Sequence, residues 1–66
     1  MYNLLYVNRI RRGLTQEALA NLAGVSRRTV CRLETSGNYP SFSVGCRISM
    51  ALNCRMEEVF PLDLSL

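Results

Sequence analysis

Histidine and lysine are both missing from this 66-residue chain, and its three cysteines are never spaced as CxxC. Without an imidazole the chain lacks the commonest general base, any Cys-His pair and a completed zinc ligand set. Cys31, Cys46 and Cys54 are odd in number and read as free thiols of a reduced compartment. No apolar run reaches the roughly 18 uncharged residues that a membrane span requires, and no phosphate-binding glycine loop is present. Closely spaced carboxylates in a catalytic arrangement, internal repeats and low-complexity tracts are absent as well. Catalysis, a bound metal and a cofactor are therefore not expected. In "MYNLLYVNRIRRG" the arginines follow the apolar patch rather than precede it, and no small-residue cleavage site appears, so the chain is expected to be cytoplasmic.

What remains is 48% hydrophobic, too apolar for a disordered segment, and short enough that residues 1–66 make a single domain with one core. The net charge of +3 comes from eight arginines against five acids, and its distribution matters more than its size. Arg9, Arg11 and Arg12 close the first segment and Arg27, Arg28 and Arg32 crowd the third, whereas Glu57, Glu58 and Asp63 lie near the other end. Such asymmetry suits a polyanionic partner, although a plain solvated arginine face has the same composition.

Glycine, proline and cap residues divide the chain into five pieces of helical character. A first helix over about residues 3–12 carries Leu5, Tyr6, Arg9 and Ile10 at three- and four-residue spacings and stops at Gly13. Thr15 caps a second, whose stripe is Ala18, Leu19, Leu22 and Ala23 and whose end is Gly24. Ser26 caps a third that runs to about Thr35. A fourth begins near Ser41 with Val44, Ile48, Ala51 and Leu52 on one face, and Asn53 is placed to end it in the left-handed conformation. A short fifth covers Met56 to Phe60 and halts at Pro61. Strand-like alternation appears only in "PLDLSL".

On the third helix the geometry is informative. With Arg27 at zero, Arg28 falls near about 100° and Arg32 near about 140°, while Leu33, Val30 and Glu34 lie at about 240°, 300° and 340°. The arginines share one face and the core residues the other. A helix joined to its predecessor by only Gly24 and Val25 crosses it sharply, which turns the arginine face outward. An exposed triple-arginine ridge fits a DNA major groove, because a guanidinium donates two parallel hydrogen bonds to guanine O6 and N7.

"GLTQEALANLAGVSRRTVCRLE" followed by "YPSFSVGCRISMALNCRMEEVF" resembles the Cro-type, XRE or lambda-repressor-like, helix-turn-helix family over about residues 3–60. The resemblance implies an all-α, compact five-helix domain with a short extended C-terminal tail. Its helix-turn-helix unit would span about residues 15–35 and bind double-stranded DNA. It implies that Arg27, Arg28 and Arg32 read bases from a recognition helix in the major groove, and that Gln16, Thr29 and Asn38 contact phosphates. Gln16 would also brace the side chain at position 27. Arg9 and Glu34 resemble the family's structural pair between the first and third helices. Asn8 stands where an apolar residue is usual, Ala18 where a glutamate would complete a capping box, and Arg55 where a cap is expected for the fifth helix. Cys31 either touches a thymine methyl or is a bystander. Arg11 and Arg12 serve the helix dipole or a phosphate, and Arg47 and Arg55 are surface charge.

One such unit covers too few base pairs to specify a site, so a homodimer on a palindrome is expected. Cys46 and Met50, turned away from the core face of the fourth helix, and the alternating Leu62, Leu64 and Leu66 of a tail at residues 61–66 are the candidate dimer interface. The same tail is equally compatible with packing on its own domain. The expected function is a sequence-specific transcriptional regulator, a repressor. The alternatives are the antitoxin of a toxin-antitoxin pair, with a protein partner besides DNA, and a protein-interaction module on the same fold.

Overall fold

The computed structural model describes residues 3–61, and these form five helices and no strand. They are α1 (Leu5–Arg11), α2 (Gln16–Ala23), α3 (Arg27–Ser36), α4 (Phe42–Ala51) and α5 (Met56–Val59), the all-α architecture expected. The tail residues 62–66, with Leu62, Leu64 and Leu66, lie outside the described residues.

The starts of α2, α3 and α4 follow from hydroxyl chemistry. The first amides of a helix have no intrahelical acceptor, and a Ser or Thr side chain just upstream supplies one. Thr15 accepts from the Ala18 N–H at 3.0 Å, Ser26 from Thr29 at 3.1 Å and Ser41 from Val44 at 3.3 Å. At α5 the residue before the helix is Arg55, which has no acceptor to offer. The work is done from inside, where the Glu58 carboxylate accepts from the Arg55 N–H at 2.7 Å. Helix ends use the left-handed region: Gly24 at φ 71° after α2, Gly37 at φ 72° after α3 and Asn53 at φ 56° just past α4.

Leu5, Leu19, Ala20, Ala23, Val30, Leu33, Ile48, Leu52, Val59 and Phe60 make one buried cluster. α2 packs against both α3 and α4, and the small side chains of Ala20 and Ala23 allow that approach. Two expectations need correcting here. Leu22 is 64% exposed, because Leu19, Ala20 and Ala23 define an inward arc from which Leu22 stands about 105° away at 100° per residue. On α1, Tyr6 and Ile10 face outward and Asn8 and Arg9 face inward beside Leu5.

Polar side chains stitch α1 in place. Asn8 donates to the carbonyls of Leu4 at 2.9 Å and Glu58 at 3.1 Å, and its own carbonyl faces the Cys54 thiol. Asn3 donates to Leu33 O at 2.9 Å and accepts from the Leu5 N–H at 3.0 Å. Arg12 Nε donates to Leu52 O at 2.9 Å, which satisfies a carbonyl at the end of α4. Among the described residues no helix is long and apolar enough to cross a membrane.

Candidate nucleic-acid interface

Two residues make the bend between α2 and α3. Gly24 is left-handed, and both its N–H and that of Val25 return to the Ala20 carbonyl. A Cβ at Gly24 would meet nothing within 4 Å, so glycine is favoured there by backbone conformation and not by crowding. Val25 then packs against the core, Ser26 caps the next helix, and α3 is fixed with one side inward.

That inward side is Val30 and Leu33, both buried, together with Glu34. Glu34 is the junction of three helices. Its carboxylate receives Arg9 Nε of α1 at 2.5 Å, Arg9 Nη2 at 3.1 Å and Gln16 Nε2 of α2 at 3.0 Å. Arg9 also donates to Leu14 O at 2.8 Å and lies over the Tyr6 ring, 5.3 Å from its centroid. The Arg9 and Glu34 side chains are only 9% and 6% exposed, so water screens the pair weakly. The hydrogen bond that Arg9 donates to the Glu34 carboxylate holds the Arg9 pKa above the ordinary arginine value, against the opposing pull of burial.

The outward side carries Arg27, Arg28 and Arg32, all exposed. None of the three guanidinium groups has an ion-pair or hydrogen-bond partner among the described residues. With Cys31 they line one open hollow. Arg27 shares a second hollow with Thr15, Gln16 and Glu17, and Arg32 a third with Thr29, Ser36, Asn38 and Ser41. Gln16, Thr29, Asn38 and the three arginines thus occupy one continuous face, on which Glu17 is the exposed acid. The Glu34 carboxylate behind it is buried and neutralised by Arg9.

Some residues expected on this face already hold partners within the chain. The Gln16 amide serves Glu34, so in this state it braces α3 through position 34 and makes no hydrogen bond to Arg27. The Thr29 hydroxyl is 2.9 Å from the Ser26 hydroxyl. Asn38 is exposed, its N–H going to Ser36 Oγ at 3.2 Å and its carbonyl receiving Asn3 at 3.3 Å. Arg12 is committed to α4 and Arg11 stays exposed. Cys31 is exposed, with its sulfur 3.9 Å from the Thr35 hydroxyl. Away from this face, Met50 is 79% exposed and Cys46 half-buried. Among the described residues no group of His, Cys, Asp or Glu is arranged to hold a metal ion.

Sequence reasoning missed Ser36, Tyr39 and Ser41, which line the hollow beside Arg32, and Asn3, which braces the end of α3. Ser41 was legible as a cap, and its hydroxyl position next to Thr29 and Asn38 follows only from the fold. Chemically the face offers fixed cations and hydroxyls on a convex helix and no buried nucleophile or base, an arrangement for recognising a polyanion.

Comparison with known proteins agrees with this geometry. A helix-turn-helix family model matches residues 6–59. The chain is 41% identical over 64 residues to an uncharacterized HTH-type transcriptional regulator of Methanothermobacter thermautotrophicus, covering 96% of this chain and 93% of that protein. It is 36% identical over 63 residues to the uncharacterized HTH-type transcriptional regulator YgzD of Bacillus subtilis, covering 96% of each. A third such regulator, from Archaeoglobus fulgidus, is 38% identical over 55 residues, covering 83% of this chain and 79% of the relative.

Proposed function

The chain belongs to the helix-turn-helix family of DNA-binding transcriptional regulators, and on that footing we propose that it is a repressor that binds a palindromic operator as a homodimer and occludes a promoter. The observation that carries this reading is the ridge of Arg27, Arg28 and Arg32, exposed and unpaired among the described residues on the outer side of α3. Three fixed positive charges cost repulsion in the free protein, and a major groove relieves it while supplying paired acceptors on guanine.

In this reading α3 lies in the major groove and its arginines read base edges. Gln16, Thr29 and Asn38 set the register by contacting phosphates, with Gln16 leaving or sharing Glu34 to do so. The net charge of +3 steers association and adds a salt-dependent, sequence-independent part to the affinity. Two units are needed for a specific site, with half-sites about 34 Å apart on one side of the duplex. Cys46, Met50 and the tail leucines Leu62, Leu64 and Leu66 supply the apolar surface for pairing.

Selection of random duplexes by the purified protein, followed by titration against salt, tests this. A guanine-containing inverted repeat is the expected product. Enrichment of no sequence, with binding that disappears at modest salt, would reduce the ridge to a general polyanion surface and refute the proposal.

A further inference from the structure

One apolar groove lies outside the arginine face, between the start of α4 and α5. It is lined by Tyr39, Pro40, Phe42, Met56, Glu57 and Phe60, and Phe42, the first residue of α4, stands at its rim 76% exposed. The missing side chain at Gly45 lets Met56 and Pro40 come up to α4, since a Cβ there would meet the Met56 methyl and lie 3.4 Å from Pro40 Cγ. The groove holds about 350 Å³. A benzene ring is accommodated by an apolar cavity of about 150 Å³, so there is room for one aromatic side chain. Around α4, with Phe42 at zero, Cys46 falls near about 40°, Met50 near about 80° and Arg47 near about 140°, while Val44, Ile48 and Leu52 turn to the core at about 200° to 280°. An apolar strip of Phe42, half-buried Cys46 and exposed Met50 therefore continues the groove outward. Its two edges carry opposite charge. Arg47, exposed on a helix that contains no acid, borders the strip on one side, and Glu57 borders the groove on the other. Glu57 is held only by Arg55 at 4.0 Å, a pair too exposed to bind firmly.

We propose that a second copy of this chain covers this surface, the Phe42 ring of each copy entering the groove of the other and Arg47 of each pairing with Glu57 of the other. The inference rests on the homodimer reading above and names its contact. Self-complementarity selects this occupant. A twofold interface presents the same patch from both sides, so the patch must carry both halves of every interaction. This one does, with a projecting ring and a hollow that admits a ring, and with a cation on α4 and an acid on α5. Charge also fixes the direction of the axis. With the axis running along α4, the Arg47 edge of one copy faces the Glu57 edge of the other, whereas antiparallel α4 helices would set like charges together at both edges. Position supports the same partner. Tyr39 and Pro40 line both this groove and the hollow shared by Thr29, Arg32 and Asn38, so the contact adjoins the end of α3. A twofold axis near that end suits two recognition helices set into successive turns of the major groove.

The test compares the full chain with Phe42→Ser, Arg47→Glu, Glu57→Arg and the double variant Arg47→Glu/Glu57→Arg. None of these positions belongs to the buried cluster, and unchanged helical circular dichroism confirms that each variant folds. Sedimentation equilibrium should give a dimer for the parent and self-association weakened by about tenfold or more for each single variant. An equimolar mixture of Arg47→Glu with Glu57→Arg should recover the parent's dimer, because both edges of the mixed pair then join opposite charges. The double variant should recover it too. Phe42→Ser should lose about tenfold or more in affinity for the selected inverted repeat and keep the parent's affinity for a single half-site. Single variants as dimeric as the parent would overturn this contact and leave the homodimer standing. Recovery by the double variant without recovery in the mixture would place the Arg47 and Glu57 pair within one chain and overturn the contact as well. A parent that is monomeric yet reads a single half-site would leave the groove to a different partner and overturn both the contact and the dimer, while DNA reading would survive.

Discussion

Replacing Glu34 with alanine removes three hydrogen bonds at once and strands a guanidinium whose side chain is 9% exposed. Removing one partner of a buried pair costs about 3 to 5 kcal/mol, mostly through the unpaired charge left behind. Arg9 keeps Leu14 O at 2.8 Å and the Tyr6 ring face, which places the expected cost at the lower end, about 3 kcal/mol. A 66-residue domain has roughly 3 to 10 kcal/mol to lose. At about 4 to 8 °C per kcal/mol the melting temperature should drop by about 12 to 24 °C. The assay is urea denaturation followed by circular dichroism on Glu34→Ala, Arg9→Met and the double variant Arg9→Met/Glu34→Leu. The double variant should recover to within about 2 kcal/mol of the parent, because an apolar pair of similar volume removes the desolvation penalty along with the attraction. Since Arg9 is raised above its ordinary pKa, its contribution is present throughout the range below that value and is lost only above it. The penalty of Arg9→Met should therefore be the same at about pH 7 and about pH 9. Single-variant losses below about 1 kcal/mol with no coupling in the cycle would show that water screens the pair, and the argument from burial would fail.

Asn8→Leu should destabilise by about 1 to 3 kcal/mol in the same urea titration, because the Glu58 carbonyl loses a donor, even though leucine is the more apolar residue. Gly45→Ala should stay within about 1 kcal/mol of the parent, since the gain in helix propensity is offset by displacing the Met56 methyl that a Cβ would meet; Gly45→Leu should cost clearly more. Arg27→Ala should lose about 1 to 3 kcal/mol of affinity for the selected operator and relax preference at one base, with melting unchanged. Equal losses on operator and random DNA would remove Arg27 from base reading.

Chain punctuation was readable in advance because capping is local chemistry. A serine or threonine before an apolar stripe and a glycine after it need no knowledge of the rest of the fold, and Thr15, Ser26, Ser41 and Gly24 act as their neighbours imply. The inward arc of each helix was less legible, since periodicity gives a face but the neighbouring helices decide how wide it is. Leu22 counted as core on spacing, yet Leu19, Ala20 and Ala23 are the α2 residues buried where α3 and α4 pack, and Leu22 is left outside. Asn8 looked like a polar intrusion, and its justification lies 50 residues away at Glu58. The arginine ridge was visible from a wheel alone, because exposed residues are governed by their own helix. The bond from Gln16 to Glu34 was not, because the two residues belong to different elements.

The two sides of α3 answer to different constraints. Val30, Leu33 and Glu34 are held by the fold, and Arg27, Arg28 and Arg32 touch nothing that the fold requires. Replacements at positions 27, 28 and 32 are therefore expected to change stability by no more than about 0.5 kcal/mol each. Under the proposed reading of bases by these three side chains, one operator could be exchanged for another by substitution at three solvent-facing positions with little change in stability. In that reading the packing of the helices and the sequence they select are set by separate side chains of one ten-residue helix.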